Sequence, residues 1–185
     1  MLSLQFKPFP TLQTERLMLR TISLDDASEL FKLRSDRSVM QFIGRPLARS
    51  VDDASTLIKN LINLLDQNNA ITWAISLASN PRLIGTIGFV NVAKEHYRAE
   101  IGYLLSPDFQ KMGIMREAIT KAIDYGFHSM HLHSIEAIVN PRNQASIRLL
   151  NSCGFIREAY FKENYYFDGN FLDSAIYSLI HHEKD

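Results

Sequence analysis

The sequence predicts a mixed α/β fold in which a mostly antiparallel sheet carries one parallel pair of strands near its middle. Three observations lead there. Runs of strand character at 71–77, 83–92 and 97–105 follow one another through short connections at Asn80-Pro81 and Lys94-Glu95-His96, the pattern of an antiparallel meander. The last run passes through Gly113 into Ile114, Ala118, Ile119, Ala122, Ile123 and Phe127, an apolar stripe at helical spacing. After that helix comes a short β-branched run, Ser134 to Val139. Residues 97 to 140 therefore read strand, helix, strand, a crossover between parallel strands.

The other elements fall around this centre. Arg16 to Ile22 reads as an opening strand, and Ser23 or Asp25 caps a helix through Ala27, Leu30, Phe31 and Arg34. A second helix starts near Ser50, where Asp52 and Asp53 suit a first turn. Its stripe is Leu57, Ile58, Leu61, Ile62, Leu64 and Leu65. Asn143 caps another helix that ends at Gly154, and two final strands, near 155–166 and 171–180, flank a turn at Asp168-Gly169. The sum is about seven strands and about four helices.

Composition narrows the function classes. A chain of 185 residues without repeats, low-complexity tracts or Gly/Ser linkers reads as one domain, 1–185. Apolar residues at 46% and charged residues at 22% are those of a globular chain rather than a disordered one. Lys plus Arg and Asp plus Glu balance at 20 each, which gives no broad basic field for nucleic acid or an anionic membrane. One cysteine, Cys153, allows no internal disulfide. The opening MLSLQFKPFP lacks the charged and apolar regions of a signal peptide, and no run reaches the roughly 20 apolar residues of a bilayer span. A soluble cytoplasmic protein is expected.

One segment carries chemistry. Ser106-Pro107 ends a strand, and Gln110-Lys111-Met112-Gly113-Ile114-Met115-Arg116 leads into a helix. A helix N-terminus offers unpaired backbone N–H groups and a partial positive charge, and a glycine there permits close approach, so the loop suits a pyrophosphate. It is neither GxxxxGK[ST] nor GxGxxG. By itself, Gly113 reads equally well as a tight-turn glycine.

Read together, several ordered segments resemble the GNAT superfamily of N-acetyltransferases, in particular its RimJ/RimL branch. Residues 110–115 occupy the superfamily's loop pattern Q/R-x-x-G-x-G/A, with Met115 at the usual small residue. Thr14-Glu15-Arg16-Leu17-Met18-Leu19-Arg20 resembles the opening strand of that branch, and Glu100 to Pro107 resembles its fourth strand. Asn143-x-x-Ser146, Leu149-Leu150 and Gly154-Phe155 resemble its N-x-x-S…L…GF signature, and Gly169-x-Phe171-x-Asp173 its last hairpin. The likeness runs over nearly the whole chain.

The resemblance implies a splayed parallel strand pair with acetyl-CoA in the gap and no metal. The main chain of Tyr103, Leu104 and Leu105 would bind the pantetheine arm and thioester. The main chain of Lys111, Met112, Gly113, Ile114, Met115 and Arg116 would hold the pyrophosphate, and Asn143 would bond the cofactor near its thiol end. Many superfamily members carry a proton-donating tyrosine where this chain has Leu150, so the acid's role passes to Ser146. Glu100 is the candidate base, because only a neutral amine has the lone pair to attack a thioester. Both have plain alternatives: Glu100 as a solvated strand carboxylate, Ser146 as a first-turn serine bonding to backbone. The acceptor implied is a primary amine, either a protein N-terminus or a small amine such as a polyamine. A chain that only binds acyl-CoA, as a sensor or scaffold, is the alternative.

Other features read more plainly. Cys153 before Gly154 suits a packed thiol rather than a covalent acyl carrier. His128, His131 and His133, with His181 and His182, fit no zinc spacing. Aromatic residues of the final strands, such as Tyr160, Tyr165 and Phe171, suit sheet packing, and family members place an acceptor wall or homodimer interface there.

Overall fold

A computed structural model describes residues 1–182. In chain order its elements are β1 (Leu12–Gln13), β2 (Leu17–Thr21), α1 (Ala27–Ser35), α2 (Arg37–Met40), α3 (Val51–Asp66), β3 (Ile71–Leu77), β4 (Asn80–Ala93), β5 (Arg98–Leu105), α4 (Ile114–His128), β6 (Ser134–Val139), α5 (Gln144–Ser152), β7 (Ile156–Phe167) and β8 (Asn170–Ile180). The strands form one sheet in the order β1-β2-β3-β4-β5-β6-β8-β7. Only β5 and β6 run parallel; every other neighbouring pair is antiparallel.

Helices cover both faces. On β3, Trp73 and Ile75 point to one face and Ala74 to the other, following the two-residue period of a strand. The first face packs against α4 through Ile114, Ala118, Ile119 and Ala122, and the N-terminal arm adds Leu2 and Phe6. Trp73 is fully buried there, in edge-on contact with Phe9, Phe89 and Tyr125, and its indole N–H donates to the Pro10 carbonyl. The second face takes α1 and α3 through Leu30, Leu33, Ala54 and Ile58. Arg20 on β2 ties this side together. Its guanidinium pairs with the buried Asp26 carboxylate at 2.6 Å and donates to the Pro81 carbonyl.

The caps form where side chains supply oxygen acceptors. Ser50 Oγ accepts from Asp53 N–H at the start of α3, and Asn143 Oδ1 accepts from Ser146 N–H at the start of α5. Asp168 and Gly169 both have positive φ, which makes the hairpin turn that joins β7 and β8.

Three expectations need correction. The turn before β4 is at Ala78-Ser79, with Asn80 already paired to Leu77, so Pro81 lies inside the strand's first residues instead of in the turn. Tyr97 is not in β5; at φ +51 it closes the turn, and the strand starts at Arg98. Two short elements, β1 and α2, bring the totals to eight strands and five α-helices among the described residues. Neither is long enough to carry a periodic signal.

Gly85 on β4 sets how closely β5 can approach. A Cβ there would lie 2.4 Å from the Leu104 carbonyl oxygen and 3.1 Å from Leu105 Cδ1. Gly85→Ala is expected to destabilise the protein by about 1–3 kcal/mol, read as a lower midpoint in denaturant unfolding.

Candidate active site

The parallel pairing of β5 with β6 covers three residues, Arg98 with Ser134, Ala99 with Ile135 and Glu100 with Glu136, and then stops. Beyond Glu100, β5 continues beside β4 alone. Ser106 N–H donates to the Ile84 carbonyl at 2.9 Å. Bonding alternates along an antiparallel ladder, so Tyr103 and Leu105 turn their N–H groups the other way, toward the gap that β6 has left. Gln110 Nε2 donates to the Leu105 carbonyl on that same side, at 3.2 Å.

A cavity of about 770 Å³ opens from this gap. It brings together every candidate catalytic or cofactor-binding residue of the sequence analysis except Met112, which is exposed on the loop but does not line it. Its floor is β5 from Glu100 to Leu105, one wall is the start of α4, and another is the start of α5 with Asn143 and Ser146.

The loop entering α4 is built for close backbone approach. Lys111 at φ +61 and Gly113 at φ +76 both adopt the left-handed conformation. Alternating handedness turns successive N–H groups toward one concavity at the helix N-terminus, a geometry that suits an anion. The outer side of the loop is clamped: Arg16 donates to the Met112 carbonyl at 2.9 Å and pairs with Glu117 at 2.7 Å, while Thr14 also bonds Glu117. Met115, the departure from the small-residue pattern, is buried in the core below the loop.

On β5, Glu100 and Gly102 face the α1–α3 side and Tyr103 the α4 side. Glu100 accepts a hydrogen bond from Asn91 Nδ2 at 2.7 Å. Asn91 reaches it from a register shift in β4 between Val90 and Ala93, where it sits at φ +48. Burial, followed by the neighbouring Glu136 carboxylate, raises the Glu100 pKa above its ordinary value, against the opposing effects of Asn91 and Arg45. Tyr103 reaches across to α5, where its hydroxyl lies 2.7 Å from Ser146 Oγ. Burial pushes the phenol up to about 12. Leu150 is fully buried in the core and does not reach the cavity. Asn143 uses Oδ1 as a cap, while its Nδ2 has no hydrogen-bond partner among the described residues.

Residues 16–156 match the Acetyltransferase (GNAT) domain family. The chain belongs to the GNAT acetyltransferases. It is 37% identical to the uncharacterized N-acetyltransferase YoaA of Bacillus subtilis over 93% of this chain and 97% of that one. It is 32% identical to the ribosomal protein uS5-alanine N-acetyltransferase of Escherichia coli, over 61% of this chain and 59% of that one. In fold it matches the spermidine N-acetyltransferase of Vibrio cholerae solved with CoA and spermine. The TM-score is 0.79 at 24% identity, covering 90% of this chain and 96% of that one. The GNAT chain is an acetyl-CoA-dependent N-acetyltransferase with RimJ/RimL-type relatives, and its loop conformation and open strand edge suit that cosubstrate.

Several residues around the GNAT cavity carried no motif: Asn91, the Tyr103 hydroxyl, Arg148, and Arg34 and Arg45 at the end remote from the loop. Elsewhere, no three His, Cys, Asp or Glu side chains are grouped to hold a metal among the described residues. His128 instead contacts Asp124 at 3.1 Å, and His181 stacks on Phe127. Burial pushes the Cys153 thiol up, away from reactivity. Among the described residues no helix is long and apolar enough to cross a membrane.

At φ +76, Gly113 tolerates no β-branched residue without strain. Gly113→Val is expected to weaken acetyl-CoA binding by about ten-fold or more, measured by calorimetric titration.

Proposed function

We propose that the chain passes the acetyl group of acetyl-CoA directly to a primary amine, with Glu100 taking the amine's proton and Ser146, supported by Tyr103, serving the sulfur. The observation that carries this reading is the parting of β5 from β6. It leaves main-chain donors facing a cavity with a carboxylate of raised pKa at one end and a bonded hydroxyl pair at the other. Acetyl-CoA, when bound, supplies an activated acyl carbon and a thiolate leaving group.

The loop from Lys111 to Arg116 holds the pyrophosphate through main-chain N–H groups. The edge of β5 at Tyr103 to Leu105 aligns the pantetheine arm, and the Leu105 N–H stabilises the charge that develops on the thioester oxygen. Asn143 directs its free Nδ2 toward the arm's thiol end. Glu100 lies three residues from Tyr103, about 10 Å along the strand, so it takes the proton through a bridging water. Its raised pKa makes it a better acceptor than an exposed carboxylate.

At the other end, Tyr103 stays protonated at any working pH and donates to Ser146 Oγ. That leaves the Ser146 proton free to point at the departing sulfur. The C–N bond forms as C–S breaks, one proton leaves the amine and one reaches the sulfur. Glu100 then loses its proton to water while the hydroxyl pair regains one. The amine acceptor is in keeping with relatives named for an alanine N-terminus and for spermidine.

Two predictions test the proton path. Glu100 must be ionised to act, so kcat is expected to rise with pH through a limb displaced upward from that of an ordinary glutamate. Asn91→Ala removes a bond that lowers the Glu100 pKa and moves that limb to higher pH. Glu100→Gln removes the limb and lowers kcat about 100-fold with acetyl-CoA affinity unchanged; an unaltered rate takes Glu100 out of the mechanism. For the hydroxyl pair, Tyr103→Phe and Ser146→Ala are each expected to lower kcat about ten-fold, and the double variant to be little worse than either. Steady-state kinetics on the three proteins reads this directly, and additive losses would mean that the hydroxyls act separately.

A further inference from the structure

The end of the cavity remote from the cofactor loop has an unusual charge pattern. Five cations line the cavity, Arg34, Arg45, Lys111, Arg116 and Arg148, against one carboxylate, Glu100. Lys111 and Arg116 flank the pyrophosphate loop, and Arg148 lies on α5 just beyond Ser146. Arg34 and Arg45 come from α1 and the loop after α2, on the face of the sheet opposite α4. Arg45 is near enough to both Arg34 and Glu100 to act on their charges, and Leu30, Leu57 and Leu61 of α1 and α3 line the same cavity.

Neither guanidinium has an acidic partner within ion-pair distance among the described residues. Among the described residues the Arg34 side chain hydrogen-bonds only to the Met40 sulfur, at 3.8 Å. Arg20 on the same side of the sheet, by contrast, is fully engaged with Asp26. Arg34 is half-buried on the inner side of α1, and burial together with the neighbouring Arg45 lowers its guanidinium pKa. Such an arginine is not held for stability, because desolvation and like-charge repulsion both oppose it. The loop that presents Arg45 is seated by the final hairpin: Gly44 lies under the Tyr165 ring, so close that an added Cβ would be 3.0 Å from its edge.

Building on the N-acetyltransferase reading above, we propose that the acceptor is a primary amine that also carries an acid group, a carboxylate or a phosphate. Arg34 and Arg45 bind the acid, and Glu100 lies on the amine's side. The arrangement matches a dipolar molecule. An acid near the amine gains charge-assisted hydrogen bonds from two guanidiniums, whereas the second and third ammonium groups of a polyamine would meet them at close range and be repelled. Either a small amino acid or a peptide N-terminus with an acidic neighbouring residue has this chemistry.

The test is a comparison of kcat/KM, at saturating acetyl-CoA, within pairs that differ only in the acid. The pairs are L-leucine and L-leucinamide, O-phosphoethanolamine and ethanolamine, and the peptide amides Ala-Glu and Ala-Gln, with spermidine as the cationic extreme. In at least one pair the acid member is expected to exceed its neutral partner by about ten-fold, and spermidine to fall below both. The pair with the larger ratio distinguishes a free metabolite from a peptide end. In the double variant Arg34→Gln/Arg45→Gln the preference is expected to fall to about one-fold, while Arg34→Lys retains part of it. Thermal unfolding of each variant verifies folding, and acetyl-CoA titration reads its cofactor affinity separately.

Equal or better turnover of the neutral amines or of spermidine overturns the inference and leaves the N-acetyltransferase reading intact. So does a preference that survives in the double variant, or a loss of acetyl-CoA affinity there, which would assign the guanidiniums to the cofactor. Saturable acetyl-CoA binding with no turnover of any amine in the panel overturns both.

Discussion

A backbone N–H inside a protein must find an acceptor, and a sheet ordinarily supplies one on the neighbouring strand. In this chain the sheet withholds it. β5 and β6 share three residues of parallel pairing and then diverge, each remaining bonded to its outer neighbour, β4 on one side and β8 on the other. The strand edge from Tyr103 to Leu105 is thereby left open at the centre of the molecule. Strand pairing on both outer sides keeps the gap from closing, and the helices on both faces fix its depth. The cavity, the approach of α4 and the position of α5 all follow from this one interruption.

The interruption also sorts the chemistry. Successive side chains on β5 point to opposite faces, so Glu100 and Tyr103, only three residues apart, address different sides of the sheet. Glu100 is kept less acidic by burial and by Glu136, its register partner on β6, and Asn91 holds its orientation. Tyr103 is kept fully protonated by burial and meets Ser146 on the helix that Asn143 caps. One strand thus carries two half-buried groups, both made less acidic by burial, on opposite faces of the sheet, in keeping with the separate proton-transfer roles proposed for them.

Much of this was legible in the sequence, and the reason is local. The path from Glu100 through Gly113 to Phe127 is continuous in the chain, and its turn glycine, helix stripe and cap obey short-range rules. Asn143 and the Asp168-Gly169 turn were legible for the same reason. What escaped depends on residues that meet only in space. Tyr103 and Ser146 are 43 positions apart, and no spacing rule joins a strand tyrosine to a first-turn serine. Asn91 owes its place to a register shift that a strand pattern does not reveal. Arg34 and Arg45 lie in helices and loops outside any motif, where an arginine in sequence is indistinguishable from a solvated one. Pro81 misled in the opposite sense: a residue that usually marks a turn lies two positions beyond it, with its carbonyl occupied by Arg20.

The brace behind the loop that enters α4 joins distant parts of the chain. Arg16 and Thr14 lie in the turn that joins β1 to β2, yet both bond Glu117 on the first turn of α4, and Arg16 also holds the Met112 carbonyl. A ligand that stiffens the loop therefore stiffens the far edge strand as well. In the language of native-state exchange, these bonds would couple the opening of the β1–β2 turn to that of the start of α4. Whatever tightens that loop is thereby expected to slow amide exchange at an edge of the sheet with which it has no direct contact.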